Sequence, residues 1–240
     1  MKKLLKIVLP LLLITLLLSG CKSSDYENAM SALNDSNYDE AIELFISLGD
    51  YKDSADQLVI AINRYADKYI EKDKYDDAIA LYNQYANYGD FDSIIDELQF
   101  EKEQYEVYCA AMDLFNKESI DEGFELLDTL PYEYRNVEKI HQSYNDLKDV
   151  PFVGTHTNIQ GKNYQQIIFN LIFDIDNECF YHHAYKAVYF SDGTVYKDYN
   201  FYLTADDIGG NTIYAGKFTW RINDAGKIVE TEKGSTAIYH

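Results

Sequence analysis

The residue best placed to do chemistry in this chain is a thiol near its start, Cys21, which directly follows Leu18, Ser19 and Gly20. Ahead of it, Lys2, Lys3 and Lys6 surround an apolar run that ends at Leu18 and is too short to span a bilayer comfortably. A basic start, a short apolar stretch and small residues before the cysteine together form a secretion signal.

The Leu18-Ser19-Gly20-Cys21 ending resembles the lipobox of bacterial lipoproteins. That resemblance implies a signal peptide over residues 1–20, removed on export, and a diacylglyceryl group on the Cys21 thiol. It also implies a further acyl chain, such as palmitate, on the new amino terminus. A thiol is the strongest nucleophile available for such a transfer. Each buried methylene adds about 0.8 kcal/mol, so one acyl chain holds weakly and two or more hold firmly. The mature protein is therefore expected on the extracytoplasmic face of the cell membrane, anchored at Cys21, with residues 21–24 as a polar tether. No later stretch is apolar for long enough to form a second span.

Other reactive side chains have structural readings. His182 and His183 are neighbours in a predicted strand, so they point to opposite faces and do not share a metal without a bulge. Asp174, Asp176 and Glu178 could offer oxygens to calcium, but their loop lacks the glycine and distal glutamate of an EF-hand. They read as solvated turn acids. No nucleophile elbow, Cys-His signature or phosphate-cradling glycine loop is present, so neither catalytic residues nor a cofactor are assigned, and an enzyme is not the expectation. Cys109 and Cys179 lie in different regions and read as two buried thiols.

Charge divides the chain. Residues 21–150 carry 31 acidic against 11 basic side chains, and residues 151–240 carry 10 against 7. So acidic a first part repels nucleic acid and anionic head groups, which excludes nucleic acid as a partner.

The elements that carry this charge repeat. "NYDEAIELF" at 37–45 returns as "KYDDAIALY" at 74–82. Aligned on Tyr38 and Tyr75, the pairs Ala41/Ala78, Ile42/Ile79, Leu44/Leu81 and Phe45/Tyr82 fall at matching offsets along a helix. A third copy places Ile120, Gly123, Phe124, Leu126, Leu127 and Leu130 at those offsets. Twelve residues before each small residue stands another: Ala29, Ala66 and Ala111 precede Ala41, Ala78 and Gly123. Two small residues twelve apart, one per helix, with an aromatic four further on, resemble the tetratricopeptide repeat. The resemblance covers about residues 25–148, lacks the family's tryptophan and proline, and has uneven spacing where the family keeps a period near 34. It implies antiparallel helix pairs that touch at the small residues and stack into a concave surface for a peptide or protein. Gly49 and Gly89, each followed by aspartate, read as a helix stop and the start of the next helix. A last helix from about Arg135 to Leu147 would cap the stack.

At Pro151 the period changes from about 3.6 to 2. Ile167, Phe169, Leu171 and Phe173 share one face of a strand, Val195, Tyr199, Phe201 and Leu203 lie along another, and Tyr214, Gly216, Phe218, Trp220 and Ile222 form a third run. Short Asp, Asn and Gly turns between them require antiparallel neighbours. Residues 151–240 are thus expected to form an antiparallel β meander that curls into a small barrel or packs on itself.

The expected fold class is α+β with two domains, helical hairpin repeats over 25–150 and β structure over 151–240. The leading functional expectation is a lipoprotein that binds or scaffolds an envelope protein or peptide through its repeats. The alternative is a small-ligand or glycan receptor through the β domain, using Tyr181, Tyr185, Tyr196, Tyr202 and Trp220 as an aromatic face. A hydrolase ranks third.

Overall fold

Three times the helical part reverses through one turn, although the sequence there has no glycine. Ser36, Asp73 and Glu118 adopt left-handed backbone, with φ of 62°, 57° and 64°. After each, the next amide reaches five residues back: Asn37 N to Ala32 O at 2.8 Å, Lys74 N to Tyr69 O at 2.9 Å, Ser119 N to Leu114 O at 3.0 Å. The left-handed residue's own amide reaches back three, to Leu33, Ile70 and Phe115. Both bonds satisfy carbonyls that a helix end leaves orphaned.

These turns appear in a computed structural model that describes residues 22–152, 154–160, 163–190, 192–232 and 235–240; the expected signal peptide and Cys21 lie outside them. The helices are α1 (22–34), α2 (Tyr38–Leu48), α3 (Ser54–Ile70), α4 (Tyr75–Gln84), α5 (Asp92–Asn116), α6 (Ile120–Leu127) and α7 (Val137–Leu147). Among the described residues nine strands follow: β1 (Gly154–Gln160), β2 (Asn163–Asp174), β3 (Cys179–Tyr189), β4 (Val195–Leu203), β5 (Ile208–Gly209), β6 (Thr212–Ala215), β7 (Phe218–Ile222), β8 (Ile228–Glu232) and β9 (Ser235–Tyr239). The class is α+β, helices first. Compact units divide between Tyr105 and Glu106, within α5, whereas the change of period falls at 150/151.

In the first unit each helix buries one stripe. Ala41, Ile42, Phe45 and Leu48 form that of α2; Leu58, Ala61, Ile62 and Ala66 that of α3; Tyr75, Ala78, Leu81 and Tyr82 that of α4. Gly49 ends α2 in left-handed backbone, its amide on Phe45 O at 3.1 Å. Asp53 does not cap α3, as its position suggests; its carboxylate accepts from Tyr26 Oη at 2.6 Å and Gln57 Nε2 at 3.0 Å. Gly89 is not left-handed and ends no helix; a β-carbon there would meet the Phe91 ring.

In the second unit the third hairpin and α7 share a core with the strands. The Phe115 ring lies 5.0 Å from that of Phe173 and 5.4 Å from that of Phe180. Tyr108 Oη donates to Glu178 Oε2 at 2.7 Å, and Asn136 donates to the same oxygen.

The strands form two antiparallel sheets, β1-β2-β3-β4 and β5-β6-β7-β8-β9. A core between them brings Phe169 and Phe201 edge-on to Trp220, each at 5.4 Å. Edge strands β1 and β9 meet through paired backbone bonds between Thr157 and His240, both 2.9 Å. At the other edge β4 and β5 are not paired, so the meander holds and the barrel does not close. Here the chain leaves the sheet through a 3-10 turn at Ala205–Asp207, held where Asp207 accepts from the Thr204 amide at 2.9 Å. The run expected from Tyr214 to Ile222 is two strands, because Gly216 turns left-handed and pairs Ala215 with Phe218 across a two-residue loop.

Candidate functional site

Alternate turns of α3 and α5, with a floor from α4, enclose a groove of about 470 Å³ in the first unit. Asn63, Asp67 and Ile70 stand at steps of four and three on α3; Ile94, Glu97, Leu98 and Glu101 stand one helical face apart on α5. Tyr82 supplies the floor, 2% exposed, and its hydroxyl is held above the usual phenol range by burial and then by the Asp67 charge. Among the described residues, Asp67, Glu97 and Glu101 have no lysine or arginine in salt-bridge contact. The nearby Lys102 turns instead to Asp76, at 2.7 Å. Asn63 Oδ1 is buried and has no hydrogen-bond partner among the described residues. A groove with an apolar floor and acidic rims is suited to a segment that brings aliphatic groups and cations together.

The small residues of the repeats are buried. Ala29, Ala41, Ala66, Ala78 and Ala111 are wholly inaccessible, and Gly123 is buried on α6. At Gly123 the reason for smallness is direct, since the Phe115 ring occupies the space of a β-carbon.

A cleft of about 500 Å³ opens in the second unit between α7, the start of β3 and residues 204–206. Its hydroxyls are committed: Ser143 Oγ donates to Ile140 O and accepts from the Phe180 amide, both at 2.9 Å, and Thr204 Oγ1 donates to Asp207 Oδ2 at 3.1 Å. Gln142 Nε2 donates to Asp146 Oδ1 at 2.7 Å. Both thiols depart from the expected burial. Cys179 is partly exposed at the cleft, and Cys109 is exposed because Tyr108, Ala111, Met112 and Phe115 take the buried stripe of α5 beside it.

Of the five residues expected to form an aromatic face, the structure brings two together. Tyr181 and Tyr202 meet edge-to-face at 5.3 Å, and Tyr202 stacks on His183 at 5.3 Å. Tyr185 lies between strands β2 and β4, paired with Ile168 and Asn200. Tyr196 packs on Phe190 at 5.3 Å beside the irregularity in β3–β4 pairing. Trp220 does not join them. It is fully buried between the sheets and donates through Nε1 to Glu230 Oε2 at 2.7 Å.

That bond belongs to a polar network which sequence reading missed. Lys186 Nζ lies 2.6 Å from Glu230 Oε1 with both side chains about 5% exposed, and 3.9 Å from the Phe218 ring centroid. Tyr239 Oη donates to Gln165 Oε1 at 2.6 Å; burial first, then Glu230, holds this phenol above its usual range. A lysine alternating with Ala184 and His182 on an otherwise apolar strand face is the signal that could have revealed it.

The histidines and turn acids have structural partners. His182 is buried with Nε2 3.0 Å from Leu147 O, whereas His183 Nε2 lies 3.0 Å from Asn200 Oδ1 on the other face. The Asn177 side chain, donating at 2.7 Å, and then the amides of Asn177 and Asp176 hold the Asp174 carboxyl below the usual range. Among the described residues, no group of three or more His, Cys, Asp or Glu is placed to hold a metal ion, and no helix is long and apolar enough to cross a membrane.

Compared with known proteins, the chain matches no family model, no curated protein and no solved structure.

Proposed function

We propose that the chain is a lipoprotein, anchored at Cys21 on the extracytoplasmic face of the membrane, whose tetratricopeptide-like hairpins bind or scaffold another envelope protein. The observation that carries the reading is the open groove on the helical hairpins, with three carboxylates that have no salt-bridge partner among the described residues while the neighbouring Lys102 pairs with Asp76. Three identical turns at Ser36, Asp73 and Glu118 support the repeat, since they keep the uneven spacing of the sequence phrases. A rigid helical scaffold presents such a surface at small conformational cost. Chemical crosslinking of intact cells, with the anchor retained, is expected to join a second envelope protein to residues within 25–148. Crosslinks confined to other residues would overturn the reading.

A glycan receptor is the second reading. It retains Tyr196 and Tyr202, each 67% exposed, but not the buried Trp220. Affinity electrophoresis through envelope glycans, abolished by Tyr202→Ala, is its expected sign.

A further inference from the structure

We infer that the groove between α3, α4 and α5 takes a cationic amphipathic segment of the partner, with both aliphatic and lysine or arginine side chains. The inference rests on the scaffold reading and names the chemistry of what is bound. Ile70 and Ile94, both partly exposed above the buried Tyr82 and Leu98, give the groove an apolar surface that rewards aliphatic side chains. Asp67 on one wall and Glu97 and Glu101 on the other face that floor from both sides, so cations on a bound segment meet carboxylates on either rim. With charge of one sign on both rims, an anionic segment is repelled.

The test uses the full chain in detergent and two labelled peptides, one alternating lysine with leucine and one alternating glutamate with leucine, followed by fluorescence anisotropy. The lysine peptide is expected to bind and the glutamate peptide not to. Binding is expected to weaken with added salt. The triple variant Asp67→Asn/Glu97→Gln/Glu101→Gln should weaken it about tenfold. A control of equal charge change on exposed sites elsewhere, Glu27→Gln/Glu122→Gln/Asp224→Asn, should leave it within about twofold. All six changes are mild on the surface and leave folding intact, which far-ultraviolet circular dichroism checks. Equal loss in both triples assigns binding to bulk charge and overturns the inference, as does failure of the lysine peptide to bind. Partner crosslinks to 25–148 that survive the groove triple overturn this inference alone; absence of such crosslinks in the unmodified chain overturns the scaffold reading.

Discussion

The ring of Phe115 closes over Gly123 so tightly that a β-carbon at 123 would stand 2.5 Å from ring atom Cε1. Phe115 has little room to withdraw, being 2% exposed and packed against Phe124, Phe173 and Phe180. Gly123→Ala is therefore expected to destabilise the second unit by about 1–3 kcal/mol through overpacking, even though alanine favours helix. Urea denaturation followed by circular dichroism measures it; a stabilised variant would mean that the slot is not crowded.

The turns point the other way. Asp73 and Glu118 hold left-handed backbone at a cost of about 1 kcal/mol each that glycine does not incur. Part of that gain is offset by the greater freedom of glycine in the unfolded chain. Asp73→Gly and Glu118→Gly are expected to be neutral or stabilising by up to about 1 kcal/mol, read as an unchanged or raised Tm.

How much of this was legible in sequence follows from what side-chain pattern can encode. The repeated phrases, the small residues and the α+β order show as periods of 3.6 and 2, because the burying stripe of each element is local. The turn positions do not show: Ser36, Asp73 and Glu118 share a conformation but no residue type, since several hydrogen bonds hold each turn and the strain is small. Nor does alternation tell where a meander breaks, which here depends on Gly216 and on the capped turn at Thr204. Alternation puts Trp220 on one strand face with Phe218, but which face is interior depends on a second sheet. The change of period at Pro151 marks a change of backbone geometry and carries no information on which core α6 and α7 join. Of the groove, each wall could be seen as a helix face, 63/67/70 on α3 and 94/97/98/101 on α5; that the two walls meet over Tyr82 comes only through packing.

Removing one member of the Lys186–Glu230 pair leaves the other charge buried. Lys186→Met is expected to cost about 3–5 kcal/mol, and Lys186→Met/Glu230→Gln to cost less than the sum of the single changes. A double-mutant cycle in urea checks the coupling; strict additivity would contradict it.

Stability should fall on the acid side through His182. Burial lowers its pKa below the ordinary 6.5, so the folded imidazole stays neutral while the unfolded one gains a proton. Its contribution is complete above about 6.5 and is lost as pH drops below it toward the folded value. Unfolding free energies measured from pH 7.5 to 5.5 should show this slope in the native chain and a shallower one in His182→Gln, which keeps an N–H for Leu147 O.

The proposed lipidation rests on a single thiol. Cys21→Ala is expected to abolish incorporation of a clickable palmitate analogue and leave the chain uncleaved or unanchored. Retained label would place the acyl group elsewhere.

The most direct test of the account is site-specific photocrosslinking in living cells, with a benzophenone side chain placed at Ile94 in the groove or at Tyr202 on the outer sheet face. A partner captured from position 94 and not from 202 is the predicted result. Capture from 202 with silence at 94 would contradict it.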